Sequence, residues 1–153
     1  MEFLALRRAR DRKILPGIWQ PVTGRKRPRE RAIACAVREV REETGLEPRR
    51  WWALESTTVY FDAADDAVTM LPLFAAEIGA RDRVELSDEH DACRFLSARA
   101  AGRRFLWEAQ RRGLDAVCRE VLRAGPLARA LEVTQHHADR GARGRSRRRT
   151  AGN

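Results

Sequence analysis

Short apolar runs alternate with turn-forming residues over most of this chain, and the alternation predicts its elements. Phe3–Leu6 is an apolar run closed by Arg7 and Arg8, which predicts a strand. Leu15-Pro16-Gly17 marks a turn, and residues 18–22 predict a short strand ending at Thr23-Gly24. A basic loop, 25–29, follows. The period then changes. On a helical wheel with Glu39 at zero, Ile33, Val37, Val40 and Thr44 cluster between about 100° and 160°, a core-facing stripe. This predicts a helix from Pro28 or Arg29 to Thr44, with Pro28 in a first turn that needs no N–H. Gly45 suits the C′ position and Leu46 the apolar contact of a Schellman ending. Residues 51–61, rich in Thr, Val and aromatics, predict a strand, 62–66 a turn, and 67–78 the returning strand of a hairpin. After a polar loop at 87–91 comes a strand at 93–96. Helices are expected from Ser97 to about Arg103 and from about Phe105 to Arg123, with Gly125-Pro126 as the stop. Strands with one internal helix, then helices, imply a layered α/β or α+β domain.

Composition divides the chain. Its 153 residues suit one domain, expected over 1–125, followed by a basic tail, 126–153. The tail is poor in large apolar residues and is expected to be disordered. The net charge of +9 would suggest a nucleic-acid partner, but its location matters more. Residues 1–128 carry 24 basic and 20 acidic side chains, whereas 129–153 carry 7 and 2. The tail thus supplies over half of the excess, and its arginines could touch nucleic acid only nonspecifically. No run of about 18 apolar residues occurs, so no membrane partner is expected. Cys35, Cys93 and Cys118 form no Cys-x-x-Cys pair and predict reduced thiols in a cytoplasmic protein.

The chemistry concentrates on the predicted helix. Glu39, Glu42 and Glu43 share one stripe at i, i+3 and i+4, in the last two turns, where the helix dipole disfavours acids. Most acidic runs are solvated surface. Here a divalent cation would offset the repulsion, and clustered hard oxygens suit Mg²⁺ or Mn²⁺ rather than zinc.

The segment Gly24-x5-Glu30-x7-Arg38-Glu39-Val40-x-Glu42-Glu43-x-Gly45-Leu46 resembles a complete Nudix box, with nine fixed positions across 23 residues. The approach Gly17-Ile18-Trp19-Gln20-Pro21-Val22-Thr23 and the later Ser87-Asp88-Glu89-His90 resemble the dATP and dihydroneopterin triphosphate pyrophosphatase branch. The resemblance implies a Nudix-type α/β/α sandwich around a mixed sheet. It implies metal ligation by Glu39, Glu42 and Glu43, with the Gly24 carbonyl and Glu89 completing the set. It further implies catalytic roles for Glu42, Glu43 and Glu89, an orienting role for Arg38, and substrate contacts at Arg7 and Thr23. The implied reaction is Mg²⁺-dependent hydrolysis of a pyrophosphate bond in a nucleoside triphosphate or another nucleoside diphosphate derivative. The alternative is a noncatalytic Nudix-fold module that binds nucleotide or nucleic acid.

Three departures stand out. The box loop is unusually basic, and Arg29 replaces the glycine usual before the box glutamate. The strand that normally precedes the segment 2–8 has no counterpart, so either the start lies upstream or the sheet lacks that strand, with poor solubility expected. The basic tail has no counterpart either. Among residues beyond the box, Cys35 is expected to be small filler, Tyr60 a strand residue, and the four tryptophans packing residues. His90 is either a proton shuttle or a structurally hydrogen-bonded loop residue.

Overall fold

Strand pairing sorts the chain into two antiparallel sheets. In the computed structural model, which describes residues 1–123 and 125–133, β1 (Phe3–Arg8) lies between β2 (Trp19–Gln20) and β5 (His90–Leu96). β3 (Arg50–Asp62) lies between β4 (Ala67–Glu77) and β6 (Glu132–Val133). The fold is the expected mixture of helices and sheet. Every strand pair among the described residues is antiparallel, and the parallel element of the expected mixed sheet is reduced to an isolated bridge between Trp19 and Phe105.

One cluster of buried apolar residues sits where the first sheet meets the C-terminal helices. Ala5, Ala101, Phe105 and Leu114 form it, with Phe3, Trp19 and Leu96 packed alongside. α2 (Ala98–Gly102) starts on Ser97, whose hydroxyl accepts the Ala100 N–H at 3.3 Å. α3 (Glu108–Val117) runs into a wide π-helical turn over Cys118–Leu122. Together they cover most of the expected 105–123 helix. The turn buries Glu120 against a bulge in β3, where pairing with β4 slips between Ala53 and Thr57. Its carboxylate accepts the backbone N–H groups of Glu55 at 2.9 Å and Ser56 at 3.5 Å, and the Ser56 hydroxyl. The bulge frees those donors from the ladder, and the buried glutamate takes them up.

α1 (Ala32–Thr44) carries the acidic stripe and differs from expectation at both its start and its faces. The helix starts at Ala32, with Arg31 extended at φ −77° and ψ 147°, so Pro28 lies outside it in a turn with Arg29. The carboxylate of Glu30 closes that turn by accepting the Arg27 N–H at 2.7 Å, which competes with helix there. Ile33, Val37 and Val40 are only half-buried, whereas Cys35, Glu43 and Thr44 are buried. Burial is therefore shared between the two sides, with Thr44 on the aliphatic stripe and Cys35 and Glu43 on the acidic one. The end matches expectation. Gly45 adopts φ 67° and donates its N–H to Arg41 at 2.9 Å, and Leu46 is buried.

The described fold extends past the expected boundary at 125. α4 (Pro126–Leu131) and β6 return to the second sheet, where Arg50 clamps Glu132 at 2.6 and 3.0 Å and Val133 pairs with Trp51. Pro126 opens this helix, as a residue that needs no N–H can. The remainder of the expected tail, 134–153, lies outside the described residues. The far half of the hairpin exposes Val59, Phe61, Val68 and Met70, each more than half accessible. Among the described residues, no helix is long and apolar enough to cross a membrane.

Candidate active site

Three segments converge on the C-terminal half of α1. The loop before β5 is stitched to the helix end, with the Glu85 N–H donating to Thr44 at 2.8 Å and the Ser87 N–H to Glu43 at 3.2 Å. The same loop is tied to β1, since the Ala9 N–H donates to the Glu89 carbonyl at 2.9 Å. The strand leaving β2 brings Thr23 and Gly24 alongside. The Thr23 N–H donates to the Glu43 carboxylate. Gly24 lies directly on Glu39, and a Cβ at this position would sit 2.0 Å from the Glu39 Cγ. Only glycine allows that approach.

Arg38 organises one side of the stripe. Its guanidinium donates to Glu30 at 2.9 and 3.1 Å, to Glu42 at 2.8 Å and to the Arg25 carbonyl at 3.2 Å, and it pairs with Glu39 at 2.8 Å. Glu42 also takes Arg27 at 3.1 Å and is half exposed, so its carboxylate is committed to cations of this chain. Hydrogen bonds from Arg38 and the Arg27 N–H push the Glu30 carboxyl down to about 2. Cys35 is buried filler with its thiol raised by burial, its sulfur 3.5 Å from Arg38.

Glu43 occupies the opposite environment. It is buried, and burial together with the charges of Glu89 and Glu39 pushes its carboxyl up to about 8. The Thr23 N–H and the positive charge of Arg8 oppose that rise. Its Oε2 is sealed from solvent without a hydrogen-bond partner. The facing group is His90, whose Nδ1 lies 3.7 Å away and whose pKa is lowered mainly by burial.

The structure thus brings together Gly24, Arg38, Glu39 and Glu43, with Thr23 bonded through its backbone and Glu89 acting by its charge. Glu42 faces the cationic side instead. Arg7 is engaged elsewhere: it bonds Asp91 at 2.5 Å and lies 5.9 Å from the Trp19 ring centre. The cation that acts on Glu43 is Arg8, which the sequence did not single out. Gln20 was also missed. It is buried, and it contacts His90 at 3.4 Å. The only sequence signal for either was its place in a strand flanking the box.

Among the described residues, no three Asp, Glu, His or Cys side chains already surround a common metal position. The residues nonetheless fit a hard divalent cation. Glu39 and Glu43 stand one turn apart, Glu43 has an unsatisfied buried oxygen, and Gly24 brings its backbone against Glu39. A helix-borne carboxylate pair is thus held against a glycine and opposed by an acidic loop.

The family model of the NUDIX domain matches residues 1–117, and the chain belongs to that family. It is a hydrolase acting on pyrophosphate bonds. Solved structures agree on the fold. The E. coli dihydroneopterin triphosphate pyrophosphohydrolase is 22% identical, with a TM-score of 0.64, over 74% of this chain and 83% of that one. A C. elegans Ap4A hydrolase in binary complex is 22% identical at a TM-score of 0.62, over 76% and 83%. A MutT protein from Methanosarcina mazei Go1 is 25% identical at 0.61, over 78% and 84%. No curated protein shows a significant sequence match to the chain.

Proposed function

We propose that this protein is a Mg²⁺-dependent pyrophosphohydrolase, with Mn²⁺ as a substitute. Its proposed substrate is a nucleoside triphosphate or another nucleoside diphosphate derivative, cleaved to pyrophosphate or phosphate products. The observation that carries the proposal is the placing of Glu43, buried one helical turn from Glu39, against whose side chain only a glycine fits at position 24. Buried carboxyl groups with strongly shifted acidity concentrate at functional sites. Glu39, Glu43 and the Gly24 carbonyl would hold the cation, with Glu89 as the further ligand or base from the loop. When bound, Mg²⁺ compensates the phosphate charge and polarises the phosphorus under attack.

The chain's own residues do the rest. Arg38 holds Glu39 and Glu42 in place, and Glu42 keeps the basic loop closed through Arg27. Thr23 fixes one side of the Glu43 carboxylate and is the proposed substrate contact there, while Arg7 stays paired with Asp91. Glu43 or Glu89 takes the proton of the attacking water as the bridging P–O bond breaks in line. The polyphosphate compounds named in two of the structural neighbours, dihydroneopterin triphosphate and Ap4A, support this substrate class. A nucleotide panel with Mg²⁺, comparing wild type with Glu43→Gln, tests it. Release of phosphate or pyrophosphate that disappears in the variant is expected. Turnover that survives the substitution overturns the site.

A further inference from the structure

Two sealed polar atoms face each other across 3.7 Å without hydrogen-bond partners, Nδ1 of His90 and Oε2 of Glu43. Their side chains are 1% and 6% exposed, so both atoms are shielded from bulk solvent. The other ring nitrogen, Nε2, lies 3.4 Å from the amide nitrogen of Gln20, which is itself buried. An amide NH₂ can only donate. A neutral imidazole carries one N–H, so a donor aimed at Nε2 makes that nitrogen the acceptor and places the proton on Nδ1. The three groups come from three elements: Gln20 from β2, Glu43 from α1, and His90 from the start of β5. Backbone bonds hold the frame, since the His90 N–H donates to Ser87 and the Ser87 N–H donates to Glu43, both at 3.2 Å.

We propose that His90 is a positioning residue for Glu43. Gln20 fixes its tautomer, and its Nδ1–H holds the Oε2 edge of the carboxylate. Thr23 grips the same carboxylate through its N–H, so the two donors set the rotation of the group about its last bond. Partners of this kind fix the orientation of a ligating carboxylate and so its affinity for the cation. The 3.7 Å separation exceeds the usual range of about 2.7–3.2 Å, and a small rotation of either side chain closes it. The proposal rests on Glu43 being the cation-holding carboxylate.

The tautomer is read directly from the ring ¹⁵N–¹H correlations of His90, on metal-free protein. A proton on Nδ1 is expected in wild type, and Gln20→Glu is expected to move it to Nε2. A wild-type proton on Nε2 overturns the proposal. The second arm separates positioning from packing. Asparagine places its amide near the Nδ1 position, and glutamine near the Nε2 position. His90→Asn is expected to keep Mn²⁺ affinity and kcat within about threefold, whereas His90→Gln loses on the order of 10- to 100-fold in both, at unchanged KM. Equal losses in the two variants, or none in either, overturn the positioning role. The tautomer is measured without substrate or cation. A protein that turns over no nucleotide therefore defeats the proposed activity and leaves the tautomer result standing on its own.

Discussion

Glu30 and Glu43 flank α1, one before its first turn and one in its last, and their surroundings are opposites. Glu30 receives two bonds from Arg38 and one from the Arg27 N–H, and its carboxyl is pushed down to about 2. Glu43 has an unpartnered buried oxygen among other acids, and its carboxyl is pushed up to about 8. One carboxylate is stabilised by the fold and the other is penalised by it. The first fastens a loop. The second is a carboxyl whose ionisation the fold opposes, and such groups concentrate at functional sites.

The largest expected effect comes from removing the penalised charge. Glu43→Gln keeps the shape and is expected to lower kcat by about 10²–10⁴-fold, the range for a positioned proton acceptor. It should also raise the melting temperature of the metal-free protein at alkaline pH, because a neutral amide does not carry the buried charge. Loss of activity together with loss of stability would place Glu43 with Glu30 as a structural carboxylate. Next comes the satisfied side. Arg38→Lys replaces a planar fork by one ammonium, which cannot span Glu30, Glu39, Glu42 and the Arg25 carbonyl together. Activity should fall on the order of tenfold, with a lower melting temperature as well. A variant with full activity would show that the Arg38 network only fastens the loop.

The two sides were not equally legible in the sequence. The helical state of α1, its Gly45 ending and the i, i+4 placing of Glu39 and Glu43 follow from local rules, and the structure keeps all three. Tertiary contacts decided the rest. Glu42 shares the stripe on a wheel, yet Arg27 and Arg38 draw it to the cationic side. Glu120 reads as a surface residue of a helix, but a β3 bulge some 60 residues earlier in the chain supplies the donors that bury it. Arg7 and Arg8 are adjacent in sequence, and only the strand's placement decides which one acts on Glu43. The short α4 and β6 pair with a strand far away in sequence, which composition alone does not reveal.

Acidity separates the two carboxylates again, on a smaller scale. Glu30 has a folded pKa below its ordinary value of 4.5, so its contribution is present above 4.5 and is lost as pH falls towards 2. Glu43 has a folded pKa above that value. Below 4.5 it is protonated in both states and costs nothing. Between 4.5 and about 8 the unfolded chain gives up the proton while the folded chain keeps it, so stability falls as pH rises, and the full penalty stands above 8. Metal-free wild type should therefore lose several degrees of melting temperature from weakly acidic to alkaline pH, at about 4 °C per kcal/mol for a domain of this size. Glu43→Gln should lose much less across the same window. Parallel pH profiles for the two proteins would remove the contrast between Glu43 and Glu30.

The smallest effect lies in the loop that Glu30 fastens. Arg29 adopts φ 64°, the left-handed region that L side chains resist, at the place where the family's box loop has glycine. The residue is exposed, and the turn it makes lets the Arg27 N–H reach the Glu30 carboxylate at 2.7 Å. A left-handed L residue costs roughly 1–2 kcal/mol, and the extra chain entropy of glycine takes back part of the gain. Arg29→Gly should thus stabilise the protein by about 0.5–1 kcal/mol in denaturant titration, with kcat unchanged. A destabilised variant would mean that the Arg29 side chain contributes more than its backbone strain costs. A drop in activity at unchanged stability would instead assign this arginine to the substrate phosphates and draw the basic loop into the site.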